Sequence, residues 1–272
     1  NNITKYFIFE SWTFRELFSA TTKADVFIKE IKKVDFQPSR LFYSQYISDY
    51  SLLAIKLLKP FELYLMDEGT ASFAIVKYRQ KLAISLAIKL VIKSLLYKVI
   101  LSLPKTITYF TQYDLAIDSP DNLYKYKFQE INNKIIKFIP DLVILLGSSI
   151  VEVGLLDKHV YFTLLEKIKM EHVGKRVEYY PHRKETNNKL LSIEKLGYII
   201  KMNNEPFEYA FKDMTYCPNL ICSFFSPTLV NISSIYNNLP SLVIYIIKND
   251  LFKYNNEVIK NIYSSYSKNS LV

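Results

Sequence analysis

Glycine, cysteine and histidine are all scarce in this chain: five, two and three among 272. So few glycines leave little material for a glycine-rich phosphate cradle, and the small turn Gly147-Ser148-Ser149 holds only one. Cys217 and Cys222 make neither a disulfide framework nor a metal-ligand spacing, so a reduced, cytoplasmic setting is expected. No Asp-x-Asp pair suited to Mg²⁺ stands at the end of an apolar run. No secretory leader is visible, and no nucleic-acid-binding motif accompanies the dispersed lysines. The chain opens Asn1-Asn2 without a methionine, so elements preceding residue 1 are expected.

What is present is apolar, aromatic and basic. Hydrophobic residues make up 50% of the chain, enough for the cores of two modest domains or one large one. A formal charge of +9 calls for an anionic partner such as a nucleotide-sugar, a phospholipid surface or nucleic acid.

Periodicity sketches the elements. Residues 6–9 could form a strand, and 13–19 and 25–33 carry a loose helical spacing. A helix is expected over 48–58, closed before Pro60, and a buried strand over 61–66. Residues 80–103 form the most amphipathic segment, with Lys81, Lys89, Lys93 and Lys98 punctuating an apolar run. That run is too lysine-rich for a comfortable membrane span. It reads either as a basic helix lying on an anionic bilayer or as a buried helix whose lysines snorkel. Residues 107–110 could be a strand, and 118–121 (DSPD) a polar turn. A domain boundary is placed near Phe138, giving domains 1–138 and 139–272. Beyond it, strands at 142–146, 176–180 and 198–201 alternate with helices at 158–171 and 188–196. A helical turn follows at 209–213, then a strand at 220–225, a helix at 229–236 and a strand at 242–247. Such alternation points to an α/β fold with a parallel sheet.

Chemistry gathers where strands end. The stretch 177–185, VEYYPHRKE, delivers His182, Arg183, Lys184 and Glu185 to one place after an apolar run. In open α/β sheets ligands bind outside the carboxyl ends of the strands. After the strand at 61–66 stand Asp67, Glu68 and Gly69, either a plain turn with Gly69 at positive φ or a general base facing a cleft. Gly147, Ser148 and Ser149 offer a phosphate-facing loop. Ser226 and Thr228 precede a helix, where they either cap it or receive phosphate at its N-terminus. His159 and His172 flank the 158–171 helix, and surface positions are expected for both.

Taken in order, these are an acidic DEG, a Gly-Ser-Ser loop, YPHRKE, a PFE at 206–208 and a Ser/Thr turn. The series resembles the bacterial sialyltransferases, whose hallmarks are a D/E-D/E-G motif, an HP motif and a Ser/Thr motif. Within them it is most similar to the lipooligosaccharide sialyltransferases, with the capsular polysialyltransferases second. The resemblance covers roughly residues 41–240. Two features depart from it: Arg183 follows the histidine where a proline is the pattern, with Pro181 before it, and the hydroxyls of SFFSPT are spread. The resemblance implies a GT-B architecture, two Rossmann-like domains facing a cleft. It implies a donor, CMP-N-acetylneuraminic acid, and metal-independent transfer with inversion to a glycan or glycolipid acceptor. By motif position, Asp67 or Glu68 would be the base and His182 would contact the CMP phosphate. Glu208 would meet the cytidine ribose, and Ser223, Ser226 and Thr228 the phosphate. Asp157 is a second candidate base and Glu152 a third. Arg183 and Lys184 would gather an anionic donor. The setting implied is the bacterial cytoplasm at the inner membrane, with 80–103 as a contact to anionic lipid and a homodimer plausible.

Two alternatives stand beside this reading. One is a polysialyltransferase or another CMP-sugar transferase, such as a CMP-Kdo enzyme. The other is a non-catalytic, membrane-associated scaffold of glycan assembly.

Overall fold

The computed structural model describes residues 17–67, 69–80, 84–129, 131, 137–253 and 257–268. The strand expected at 6–9 and the carboxylate of Glu68 lie outside the described residues. Two compact units divide the chain, Asn1–Tyr126 and Lys127–Val272. Both are α/β with an all-parallel sheet.

Unit 1 runs α1 (Leu17–Lys32), β1 (Arg40–Tyr43), α2 (Asp49–Leu58), β2 (Glu62–Met66), α3 (Ala71–Gln80), α4 (Ile84–Tyr97), β3 (Thr108–Thr111) and β4 (Asn122–Lys125). The sheet order β1-β2-β3-β4 follows the chain without reversal. α2 stops where Lys59 takes a left-handed φ of 48°, and Pro60 cannot continue it. α1, α2 and α4 share a core of Phe27, Ile31, Leu52, Leu53, Leu90 and Tyr97. The helix expected over 80–103 is shorter than its apolar pattern. Lys98 turns left-handed at φ 53°, and the backbone N–H of Leu101 donates to Ser94 Oγ at 2.8 Å. The apolar residues beyond it continue without regular secondary structure, with Leu101 buried in the same core. A buried clamp ties α3 to the entry of β4: Arg79 grips Asp121 through Nε and Nη2, at 2.5 and 2.6 Å. Asp121 also accepts from the Ile107 N–H.

Unit 2 runs β5 (Lys137–Leu146), α5 (Lys158–Glu171), β6 (Arg176–Tyr180), α6 (Asn187–Lys195), β7 (Ile199–Ile200), α7 (Phe207–Asp213), β8 (Tyr216–Ser223), α8 (Pro227–Ile235), β9 (Ser241–Ile244) and α9 (Glu257–Lys268). Its sheet order is β7-β6-β5-β8-β9. The chain steps outward from β5 to β7, then returns to the other side of β5 for β8 and β9. That reversal creates a switch point between β5 and β8, where doubly wound sheets open a crevice. β5 is buried through Leu142–Leu146 and forms the centre of the sheet.

The boundary expected near residue 138 falls inside β5 and is corrected: the units part after Tyr126. β5 runs through Pro140, although proline cannot donate to a ladder. The strand accommodates it by a register shift between Ile139 and Val143, and residues 137–139 still pair with 216–218.

Candidate functional site

The carboxyl ends of unit 2's strands surround a pocket of about 560 Å³. Its walls come from Leu146 and Gly147 at the end of β5, Tyr180 to Arg183 at the end of β6, and 202–206 after β7. Three helix starts complete it: Asn187 of α6, Phe207 and Glu208 of α7, and Ser226 with Thr228 at α8. The first residues of α6, α7 and α8 thus line one pocket, and the N-terminal ends of helices favour an anion.

His182 stands at the rim of this pocket, half-buried, on a turn closed by the Glu185 N–H donating to the His182 carbonyl at 2.9 Å. The Lys184 N–H donates to His182 Nδ1 at 3.2 Å. An Nδ1 that accepts is unprotonated, so the neutral ring carries its proton on Nε2. Burial lowers the His182 pKa below the ordinary histidine value, with Arg183 and Lys184 acting in the same direction. The arrangement makes His182 a neutral donor through Nε2–H.

Beneath the turn lies an ionic network whose side chains are almost completely enclosed. Glu185 is 0% and Lys189 3% exposed, and their ion pair measures 2.6 Å. Glu185 also accepts from Tyr179 Oη at 2.7 Å and from the His182 N–H at 2.7 Å. Lys189 reaches the Ser148 carbonyl and Glu152, and its ammonium lies 4.1 Å from the centre of the Tyr161 ring. Burial pushes the Glu185 carboxyl above its ordinary pKa, against the pull of Lys189 and the Tyr179 hydroxyl. Gly147 is required by contact: a Cβ there would lie 2.2 Å from Glu185 Oε2 and 2.7 Å from Tyr179 Oη.

The residues singled out from sequence separate into three groups. Gly147, Pro181, His182, Arg183, Glu208, Ser226 and Thr228 line the one pocket. Ser226 caps α8, accepting the Thr228 N–H at 3.2 Å, while Glu208 accepts from Asn231 Nδ2 at 2.7 Å. The second group belongs to unit 2 but not to the pocket wall. Ser223 is fully buried, donating to the Leu146 carbonyl and accepting from the Phe225 N–H, so its hydroxyl serves the strand end. Ser148 is buried, and Ser149 adjoins it in the loop after β5. Asp157, placed at the start of α5, is exposed and paired with Lys253 at 2.7 Å. Glu152 serves Lys189, and the Lys184 backbone serves His182. His159 is exposed as expected, whereas His172 is part-buried and bonds through Nε2 with Tyr245 Oη at 3.2 Å.

The third group is in unit 1. Asp67 directly follows β2, and Gly69 adopts φ 66° in the turn before α3. The Asp67 carboxylate accepts from Ser72 Oγ at 2.7 Å and Thr111 Oγ1 at 2.9 Å, and from the N–H groups of Gly69 and Gln112. Burial nonetheless raises its pKa.

Lys189 was the residue that motif reading passed over. Its signal was present: Glu185 and Lys189 stand four apart across a helix start, where opposite charges meet. Among the described residues, no three His, Cys, Asp or Glu side chains cluster as a metal site. None of the described helices is long and apolar enough to cross a membrane.

Compared with known proteins, the chain matches no family model and no curated protein.

Proposed function

We propose that this chain is an inverting sialyltransferase that moves N-acetylneuraminic acid from its CMP-activated donor to a glycan hydroxyl of a lipooligosaccharide or capsule. One observation carries the reading. A single pocket at the switch point of a parallel sheet is lined by His182, Arg183, Glu208, Ser226 and Thr228 together with the first residues of three helices. A volume of about 560 Å³ suits a nucleotide, since small-molecule sites span about 300–1,000 Å³. The motif order DEG, YPHRKE, PFE and the Ser/Thr turn supports the choice of donor. In this proposal unit 1 and unit 2 are the two halves of a GT-B enzyme.

The CMP phosphate sits toward the start of α8 and His182, the ribose toward Glu208, and the cytosine toward Asn203 and Asn204, whose amides can match its donor and acceptors. The acceptor oxygen attacks the anomeric carbon of the sugar from the face opposite CMP. As that bond forms, the bond from the anomeric carbon to the phosphate oxygen breaks, and its electron pair leaves on CMP. His182 Nε2–H donates to the phosphate oxygen that gains charge, while Arg183 and the helix ends add positive potential. The acceptor's proton passes to a carboxylate. By motif position that carboxylate is Asp67 or Glu68 of the DEG sequence. Burial raises the Asp67 pKa, which strengthens that residue as a base.

The test is CMP release from CMP-N-acetylneuraminic acid in EDTA, with and without a galactose-terminated acceptor. The expected result is acceptor-dependent release that falls about a hundredfold or more in His182→Ala. Binding of CMP without turnover of this donor would move the reading to another CMP-sugar. Failure to bind CMP at all would end it.

A further inference from the structure

α4 carries apolar residues on two opposite faces. Its inner face places Leu86, Leu90 and Tyr97 in the core shared with α1 and α2. Its outer face presents Ile84, Ile88, Val91, Ile92 and Leu95, spaced as one helical stripe and exposed by 50–80% each. Ile100, just past the helix, is 74% exposed. A helix apolar all round belongs in a core or against another apolar phase. Rolling α4 to hide the stripe would break its anchor. Buried Asp49 accepts from Lys93 Nζ at 2.5 Å and from Tyr97 Oη at 2.7 Å, and both donors are on the inner side.

Charge identifies the occupant. Asp and Glu are absent from 69–113, whereas Lys and Arg recur along it. Lys89 and Lys98 are exposed beside the stripe. Two copies joined through this face would set like-charged segments against each other. An anionic bilayer offers hydrocarbon to the stripe and negative headgroups to the lysines. α4 has 14 residues, about 21 Å of helix, against the roughly 20 residues that a span requires. It is built to lie in the interface.

We propose that the outer face of α4, with Lys89 and Lys98, docks unit 1 onto the surface of an anionic phospholipid bilayer. This surface lies in unit 1, and the proposal stands whatever unit 2's pocket binds.

Co-sedimentation of the full chain with vesicles tests it, using phosphatidylglycerol mixed into phosphatidylcholine against phosphatidylcholine alone. The anionic vesicles are expected to bind at least tenfold more tightly, the scale of two lysines near such a surface. The triple variant Ile88→Ser, Val91→Ser, Leu95→Ser should lose at least another tenfold on anionic vesicles while keeping its thermal midpoint, because all three side chains face outward. Wild-type protein that ignores anionic vesicles would overturn the proposal. So would binding that the triple variant retains in full, which would place the contact elsewhere on a basic protein. A wild-type dimer in ultracentrifugation that the triple variant makes monomeric would assign the stripe to a second copy instead.

Discussion

The two units answer the same sequence grammar with different topologies. In unit 1 the described parallel strands are laid down in chain order, β1 to β4, with no reversal among them to open a crevice at their carboxyl ends. A cavity of about 390 Å³ in unit 1 lies by Arg79, Lys105 and Asp118–Asp121, around residues that lead into β3 and β4. Its strongest cation, Arg79, is already consumed by Asp121, Tyr46 and two backbone carbonyls. In unit 2 the reversal at β5 leaves a crevice, and the pocket with the histidine occupies it. Two sheets of one class therefore differ in where they can hold a ligand, and strand order decides the difference.

The largest effect that would sharpen this contrast lies under the pocket. Glu185→Gln leaves the Lys189 ammonium enclosed with Glu152 as its remaining carboxylate, at 3.3 Å. The expected loss is about 3 kcal/mol of unit 2 stability, read as an earlier transition in denaturant. An unchanged transition would break the idea that the network holds the His182 turn. Gly147→Ala comes next. Its methyl group meets Glu185 Oε2 and Tyr179 Oη inside an enclosed network, and overpacking of this kind costs about 1–3 kcal/mol. A crystal structure of the variant should show Glu185 displaced and the His182 N–H without its partner.

The smallest effect is electrostatic. Lys184→Gln removes one of the cations that hold the His182 pKa down, while the backbone N–H on Nδ1 remains. NMR titration should show the pKa rising toward the ordinary value of about 6.5. The sign for stability follows. With its folded-state pKa below the unfolded one, His182 makes the unfolded chain the better proton acceptor, so it subtracts stability as pH falls below about 6.5. The variant should lose less stability in acid than the wild type.

Much of unit 2 was legible in sequence because its elements obey local rules. α5 and β6 fall where periodicity places them, and the strand–helix alternation announced a parallel sheet. α3 and β4 escaped notice. Ala71–Gln80 is too evenly mixed to show a stripe, and Asn122–Lys125 is a four-residue polar strand defined by its pairing with β3. Among the site residues, those that follow directly from strand ends were legible, as with His182 and Ser226. Those whose fate depends on non-local partners were not. Ser223 turns inward to the Leu146 carbonyl, Asp157 finds Lys253, and Lys189 is drawn under the pocket by Glu185. A single sequence carries spacing, but it does not carry the address of a distant partner.

With three histidines in the chain, the central claim reduces to a readable spectrum. The ring C–H signals of His159, His172 and His182 would be assigned by single substitution and followed as CMP is added. Binding in unit 2's pocket should shift the His182 signal alone and raise its pKa, because a phosphate beside Nε2 favours the charged ring. Signals that stay in place at saturating CMP, or a shift confined to His159 or His172, would contradict the account.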